Sequence, residues 1–173
     1  CAAGQAEDGR SGPLMIPNLE RLGITSAMAL ATAGDLPATK PQGAWGAATE
    51  VSRGKDTPSG HWELAGLPVP WEWHYFPDAK PAFPAEVSAY LAKMAGVDGI
   101  LGDCHASGTA IISEFGQRHV ESGWPICYTS ADSVLQIAAH EESFGLDRLL
   151  TLCKAVAPML HEMKVGRVIA RPF

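Results

Sequence analysis

The chain has 173 residues, of which 46% are hydrophobic, and its formal net charge is −6 at pH 7. The hydrophobic content suffices for a packed core, and the length suits one domain or part of a larger one. The acidic charge, without any cluster of Lys and Arg, argues against nucleic acid or an anionic membrane surface as a partner. No apolar run approaches the roughly 20 residues of a membrane-spanning helix.

The four cysteines are scattered, and none forms a CxxC pair. A disulfide framework needs denser cysteines, and a zinc site needs ligands at closer spacing. No segment has the pattern of a signal peptide. We therefore expect reduced thiols and a cytoplasmic protein, with Cys127 and Cys153 in the core rather than reactive.

The first half of the chain is rich in proline, with ten of the thirteen prolines in residues 1–84. Residues 17–23 predict a short helix that begins at a proline and ends at a glycine. Residues 24–42 are small and weakly patterned, which indicates a loop. Residues 44–51 are compatible with a strand that is weakened by glycine and alanine.

A candidate nucleophile lies at the next helix start. Thr57 followed by Pro58 predicts a helix with threonine at the N-cap, and Gly66 marks its end. A helix N-terminus favours an anion, and Lys55 adds a cation nearby. The Thr57 hydroxyl therefore has one of two roles: it caps the helix, or it accepts a phosphoryl group as a covalent intermediate.

The second half of the chain is more regular. Prolines and aromatic residues in 67–83 indicate a linker. Residues 87–94 form an amphipathic helix that stops at Gly96. We expect one or two helices over 108–122 with a break near Gly116, a long helix over 146–160 that Pro158 kinks or ends, and strands over 126–129, 133–139 and 165–171. This alternation fits an α/β or α+β domain.

Two groups of polar residues are candidates for ligand binding. Asp132, with Ser130 beside it, lies on a turn between two strands, where it either binds sugar hydroxyls or closes the turn. Arg167 and Arg171 share one strand face with Ile169, about 13 Å apart. The arginines suit phosphate oxygens, and the alternative is a solvated face with ion pairs between strands.

The histidines do not predict a metal site. His140 begins a His-Glu-Glu run, but position 144 is Phe where HExxH requires a second His. His140 is better interpreted as a structural residue at a strand end. His105 with Cys104 supplies only two ligands. His61 follows the candidate nucleophile and either orients it or has a structural role.

From about residue 12 onward, the chain resembles the phosphopentomutase family of the alkaline phosphatase superfamily. The matching segments are residues 16–19 (Ile-Pro-Asn-Leu), 54–57 (Gly-Lys-Asp-Thr) with 60–63 (Gly-His-Trp-Glu), 106–109 (Ala-Ser-Gly-Thr), 128–142 and 165–173. The resemblance implies an isomerase that interconverts ribose 1-phosphate and ribose 5-phosphate, and the deoxyribose equivalents. It implies two Mn²⁺ ions and a phosphothreonine, which maps onto Thr57.

The resemblance also implies a fold and a substrate site. The family has a doubly wound α/β core interrupted by an α+β cap domain. On that basis residues 1–66 are a partial core segment with the nucleophile, 67–83 a hinge, and 84–173 the substrate-binding cap, so the alkaline-phosphatase-like core is only partly present. The predicted substrate-binding residues are Ser130, Asp132, Val134, Arg167 and Ile169, with support from Lys55, His61 and Arg171.

The chain departs from the family in its metal ligands. The family's aspartate and histidine motifs lie before the first matched segment and after the last one. We therefore expect a fragment with no metal ligand apart from a contact by Thr57, and no turnover by the isolated chain. Two alternatives are another phosphatase or mutase of the superfamily, and a cap-like module that binds sugar phosphates without catalysis. The sequence does not indicate an oligomeric state.

Overall fold

The computed structural model describes residues 15–35 and 40–173. They belong to two compact units, one before Val51 and one from Val51 to Phe173. The first unit contains helix α1 (Pro17–Leu22) and helix α2 (Ile24–Ala31). Gly23 joins the two helices with a φ of +117°, and a side chain there would meet the Trp45 ring at 2.8 Å. Only glycine satisfies both conditions.

Helix α1 confirms the prediction for residues 17–23, but two other predictions for this unit are wrong. Residues 24–31 form helix α2 instead of a loop, because this segment contains three alanines with Met28 and Leu30, all good helix formers. Residues 44–51 do not form a strand. Their alanines and glycine carry little β preference, and the described part of this unit contains no strand that they pair with.

The second unit is built around a single four-stranded sheet. Its helices are α3 (Thr57–Leu64), α4 (Ala85–Ala95), α5 (Gly108–Ser122) and α6 (Leu146–Glu162), with a π-helical turn at Glu141–Gly145 before α6. Its strands are β1 (Leu101–His105), β2 (Ile126–Thr129), β3 (Val134–Ala139) and β4 (Arg167–Pro172). The sheet order is β1-β2-β3-β4, parallel at both ends and antiparallel between β2 and β3.

Helices cover both faces of the sheet, which gives three layers. On one face, Leu135 and Ile137 pack with Leu91 of α4 and with Leu149 and Val156 of α6. On the other face, the buried residues belong to β1, β2, β3 and α5: Leu101, Ile126, Tyr128, Ala138, Ile111 and Phe115. Both faces of β3 are therefore buried, which explains why five of its six residues are apolar.

The predicted helix over 87–94 and the three predicted strands are confirmed, with small shifts at their ends. Helix α5 has no break at Gly116, where the Phe173 ring lies 3.6 Å from the position of a Cβ. Helix α6 does not end at Pro158 but continues to Glu162. Proline removes one hydrogen bond, and here it lies within two turns of the C-terminal end, where the packed α6 face keeps the helix intact.

The fold is thus a mixed α/β fold with a four-stranded sheet and six α-helices in the described residues. Cys127 and Cys153 are buried, as predicted. The domain boundaries at residues 66 and 84 stay predictions. In the part of the chain that the structure describes, no helix is both long and apolar enough to cross a lipid bilayer.

Candidate functional site

Thr57 is the first residue of helix α3, and the N-cap is Asp56. The predicted N-cap is therefore wrong by one residue. Asp56 has extended backbone geometry, and its side chain makes no capping hydrogen bond. Thr57 is exposed. The N–H groups of the first turn have no partner within the helix, so the Thr57 hydroxyl stands where an anion is favoured.

The Asp56 carboxylate connects this helix start to two distant parts of the second unit. Its side chain is 0% exposed. Oδ2 accepts a hydrogen bond of 2.6 Å from the Ser133 N–H, on the turn between β2 and β3. Oδ1 lies 3.2 Å from Nη2 of Arg167, the first residue of β4. These contacts bring the residue before Thr57 to the turn that carries Asp132 and to Arg167.

Arg167 lies between two carboxylates. Its Nη2 also donates to Oδ2 of Asp132 at 3.1 Å, and the Asp132 side chain is 55% exposed. Two buried polar atoms in this group have no hydrogen-bond partner: Nε of Arg167, and Oδ1 of Asp56, whose contact with Arg167 is an ion pair only. Buried polar atoms are rarely left unpaired, so these two atoms have capacity for a further partner such as an ordered water or a ligand.

Ser133 holds the neighbouring segments in place. Its hydroxyl donates to the His74 carbonyl oxygen at 2.6 Å and accepts from the Gly166 N–H at 2.9 Å. Ser133 is fully buried. The reasoning from sequence missed Asp56 and Ser133. An acidic residue directly before a candidate nucleophile was the available signal for Asp56, whereas no local pattern indicates the role of Ser133.

The other predicted substrate-binding residues lie around Arg167. Val134 is opposite Arg167 in the β3–β4 ladder, and Ile169 is opposite Gln136. Val134 is only 1% exposed, so it also belongs to the core. Ser130 is partly buried, and Ile169 is too. The structure therefore places Val134 and Arg167 at neighbouring strand starts, with Asp132 on the turn before β3 and Ile169 two residues further along β4.

The predicted supporting residues make other contacts. Nη2 of Arg171 donates to Oε1 of Gln136 at 3.0 Å, and its guanidinium lies against Gly108 at the start of α5. Nδ1 of His61 is 2.8 Å from the Thr57 carbonyl oxygen, which indicates a bond to the backbone. Lys55 is exposed, and its carbonyl oxygen accepts from the Tyr75 hydroxyl.

Across residues 15–35 and 40–173, no group of three or more His, Cys, Asp or Glu residues has the arrangement of a metal site. The two Mn²⁺ ions that the resemblance implies thus do not fit the described residues. His140 has the structural role predicted for it, because its Nδ1 accepts hydrogen bonds from the N–H groups of Glu142 and Ser143.

No protein-family model matches the chain. Among curated proteins, one named phosphopentomutase from Methylorubrum extorquens (strain PA1) is 56% identical over 179 residues. Phosphopentomutases from Allorhizobium ampelinum and Shewanella loihica are 57% identical over 180 residues and 54% identical over 177 residues. Each alignment covers the whole chain.

The chain is homologous to phosphopentomutases. It spans 44% of the length of these relatives. The similarity to phosphopentomutases therefore includes the Thr57 segment, the turn with Asp132 and the strand with Arg167 together, and not one motif alone.

Proposed function

We propose that the chain is the segment of a phosphopentomutase that carries the phosphoryl acceptor and a sugar-phosphate site. Such an enzyme interconverts ribose 1-phosphate and ribose 5-phosphate, and the deoxyribose equivalents, and we expect it in the cytoplasm. Identity of 54–57% along the whole chain to proteins of that name supports the proposal. The observation that carries it is the Asp56 carboxylate, which contacts Ser133 and Arg167 from the position next to Thr57.

In this proposal Thr57 carries the transferred phosphoryl group. A free hydroxyl of the sugar monophosphate attacks phosphothreonine, so that the new sugar oxygen–phosphorus bond forms as the bond to Thr57 Oγ breaks. The hydroxyl proton ends on Thr57 Oγ. The bisphosphorylated sugar then presents its other phosphate, and the reverse step restores phosphothreonine. The N-terminal dipole of α3 favours the negative charge of the group in transfer.

The sugar phosphate itself is held by the residues around Arg167. A planar guanidinium matches phosphate oxygens, so we assign Arg167 to the phosphate that is not in transfer. Asp132 and Ser130 are assigned to the sugar hydroxyls, and Ile169 to its apolar edge, whereas Val134 is too buried to offer a surface to the sugar. Mn²⁺ in this family would supply Lewis-acid stabilisation. We assign it no ligand among the described residues beyond a contact with Thr57.

The test of the sugar-phosphate site is binding of ribose 5-phosphate to the 173-residue chain by isothermal titration calorimetry. We expect ribose 5-phosphate to bind more tightly than ribose. Arg167→Met should weaken its binding about tenfold or more, since one charge-assisted contact is lost. Arg118→Met removes an exposed arginine of α5 and is the matched control, which should not change the affinity. Equal affinity for both sugars, or an unchanged affinity in Arg167→Met with a lower melting temperature, would contradict the proposal.

A further inference from the structure

We propose that Asp132 exchanges partners when a phosphorylated sugar binds. In the free protein its carboxylate holds Arg167. A phosphate that binds Arg167 then releases this carboxylate, which becomes available to the sugar hydroxyls. This inference rests on the proposed function and goes beyond it, because it makes recognition of the sugar depend on recognition of the phosphate.

The two carboxylates at Arg167 differ in how unfavourable it is to separate each of them from the guanidinium. Asp56 is completely buried and also accepts a 2.6 Å hydrogen bond from the Ser133 N–H. Separating it from the guanidinium would leave a buried charge unpaired, which is strongly unfavourable. Asp132 is 55% exposed, so water solvates its carboxylate once it is released. Exposed ion pairs contribute little net free energy, so Asp132 is the partner that leaves.

The guanidinium has capacity for another ligand. Arginine carries five N–H donors in a planar fork. Here Nη2 alone contacts both carboxylates, at 3.2 Å and 3.1 Å, and Nε is buried without a hydrogen-bond partner. A phosphate presents several oxygens to such a fork, whereas Asp132 uses one donor nitrogen. A phosphate that contacts more than one N–H of this fork therefore makes more charge-assisted hydrogen bonds than Asp132 does.

This exchange has a consequence for specificity. A ribose without phosphate must break the ion pair between Asp132 and Arg167 and offers Arg167 no replacement anion. A phosphorylated ribose supplies the replacement with its own phosphate. Because coupling between two binding events is reciprocal, phosphate on Arg167 strengthens hydroxyl binding at Asp132, and hydroxyls at Asp132 strengthen phosphate binding. The site thus selects phosphorylated sugars through one shared carboxylate.

The first test uses inorganic phosphate, which has no sugar hydroxyls, and the full 173-residue chain. Asp132→Asn removes the competing charge, so phosphate should bind about two- to fivefold more tightly, as expected for the loss of an exposed ion pair. Asp98→Asn, at an exposed position after α4, makes the same chemical change without a contact to Arg167 and should have no effect. Equal phosphate affinity in the wild type and Asp132→Asn would overturn the exchange.

The second test separates exchange from general electrostatics. Ribose affinity is measured by calorimetry with and without saturating inorganic phosphate. In the wild type, phosphate should strengthen ribose binding, and in Asp132→Asn it should not. If phosphate binds the wild type but leaves its ribose affinity unchanged, the exchange is overturned. The proposed phosphate site at Arg167 is not contradicted by that result. If the wild-type chain binds neither inorganic phosphate nor ribose 5-phosphate, the proposed sugar-phosphate site itself is refuted.

Discussion

At the scale of single residues, the position of Thr57 argues against one of the two roles that its sequence context allows, that of helix cap. Asp56 is the N-cap residue, and Thr57 lies one position inside the helix with its side chain exposed. Within residues 15–35 and 40–173, the Thr57 hydroxyl makes no hydrogen bond. The hydroxyl therefore contributes little to helix stability, which leaves it available for chemistry.

We expect Thr57→Ala to abolish mutase activity in the complete enzyme, because the covalent acceptor is lost. The free energy of unfolding should change by no more than about 0.5 kcal/mol, as for other exposed positions. Thr57→Ser keeps a hydroxyl and should keep part of the activity. The measurements are steady-state turnover of ribose 1-phosphate and urea unfolding. A Thr57→Ala enzyme that keeps most of its kcat would exclude Thr57 as the phosphoryl acceptor.

A second single-residue prediction concerns His119, a buried histidine whose surroundings lower its pKa. It is completely buried, its Nδ1 is 2.6 Å from the Trp124 carbonyl oxygen, and its Nε2 accepts from the His140 N–H at 3.0 Å. Burial lowers the pKa of His119 below its ordinary value of 6.5. The hydrogen bond to the Trp124 carbonyl opposes this shift, and the nearby His140 and Arg148 add to it. The folded protein therefore disfavours the charged form of this histidine, and both of its ring nitrogens are paired.

Stability should fall as the pH drops below about 6.5, because the unfolded chain then binds a proton at His119 that the folded chain does not. The loss ends below the folded pKa, where both states are protonated. Urea unfolding between pH 8 and pH 5 measures this slope. His119→Gln should lower overall stability but reduce the slope, whereas His161→Gln, at an exposed histidine, should leave it unchanged. An identical slope in His119→Gln and wild type would contradict the assignment.

At the scale of elements, strand β1 shows how tertiary contacts create a strand that local pattern does not predict. Gly102 and Asp103 have φ values of +87° and +51°. A side chain at Gly102 would meet the Cys127 carbonyl oxygen at 2.6 Å. Asp103 accepts hydrogen bonds from the N–H groups of Ala82 and Phe83 and from the Ser88 hydroxyl. The Asp103 carboxylate thus joins the segment before α4 to β1, the edge strand of the sheet, through hydrogen bonds.

We expect Asp103→Ala to lower the free energy of unfolding by roughly 2–4 kcal/mol, since two N–H groups and a hydroxyl lose their acceptor. Alanine also tolerates the positive φ less well than aspartate does. Asp103→Asn keeps one carbonyl oxygen and should lose less. Urea unfolding provides the measurement, with Asp98→Ala at an exposed position as the control. A loss below 0.5 kcal/mol in Asp103→Ala would show that these hydrogen bonds contribute little.

At the scale of the whole molecule, the two units differ in how much they bury. Helix α1 has no buried residue, and α2 buries only Ser26 and Ala29. All six residues of β3 are buried. Local opening is easiest where few apolar contacts hold a helix, so the two units should differ widely in the free energy of opening.

Hydrogen exchange followed by mass spectrometry should show this difference in the 173-residue chain. We expect the amides of residues 17–31 to exchange fast, close to the rate of unfolded peptides. The amides of β3 should exchange slowest, through opening that approaches global unfolding. Peptides from α5, which is exposed on one side and packed on the other, provide an intermediate reference. Equal protection of α1 and β3 would mean that the first unit is stabilised by contacts that its burial does not indicate.

Local sequence patterns determined much of the second unit. The apolar spacing from Val87 to Met94 and the glycine at 96 specified α4, because burial on one face repeats with the helix period. Short, mainly apolar runs specified β2 and β3, which are buried on both faces. The motifs shared with phosphopentomutases also indicated Thr57, Asp132 and Arg167 as candidates. Their roles as acceptor and ligands stay predictions.

Only the tertiary structure decided which groups these candidates contact. Asp56 and Ser133 are 77 residues apart, and Asp132 and Arg167 are 35 residues apart. Contacts at such separations depend on sheet order and on the path of the linker, which no local period encodes. For the same reason β1 and the acceptor role of Asp103 were missed. The hydrophobic pattern of the sequence specifies which face of each helix or strand becomes buried. The partners of a buried charge depend on how the helices and strands then pack together.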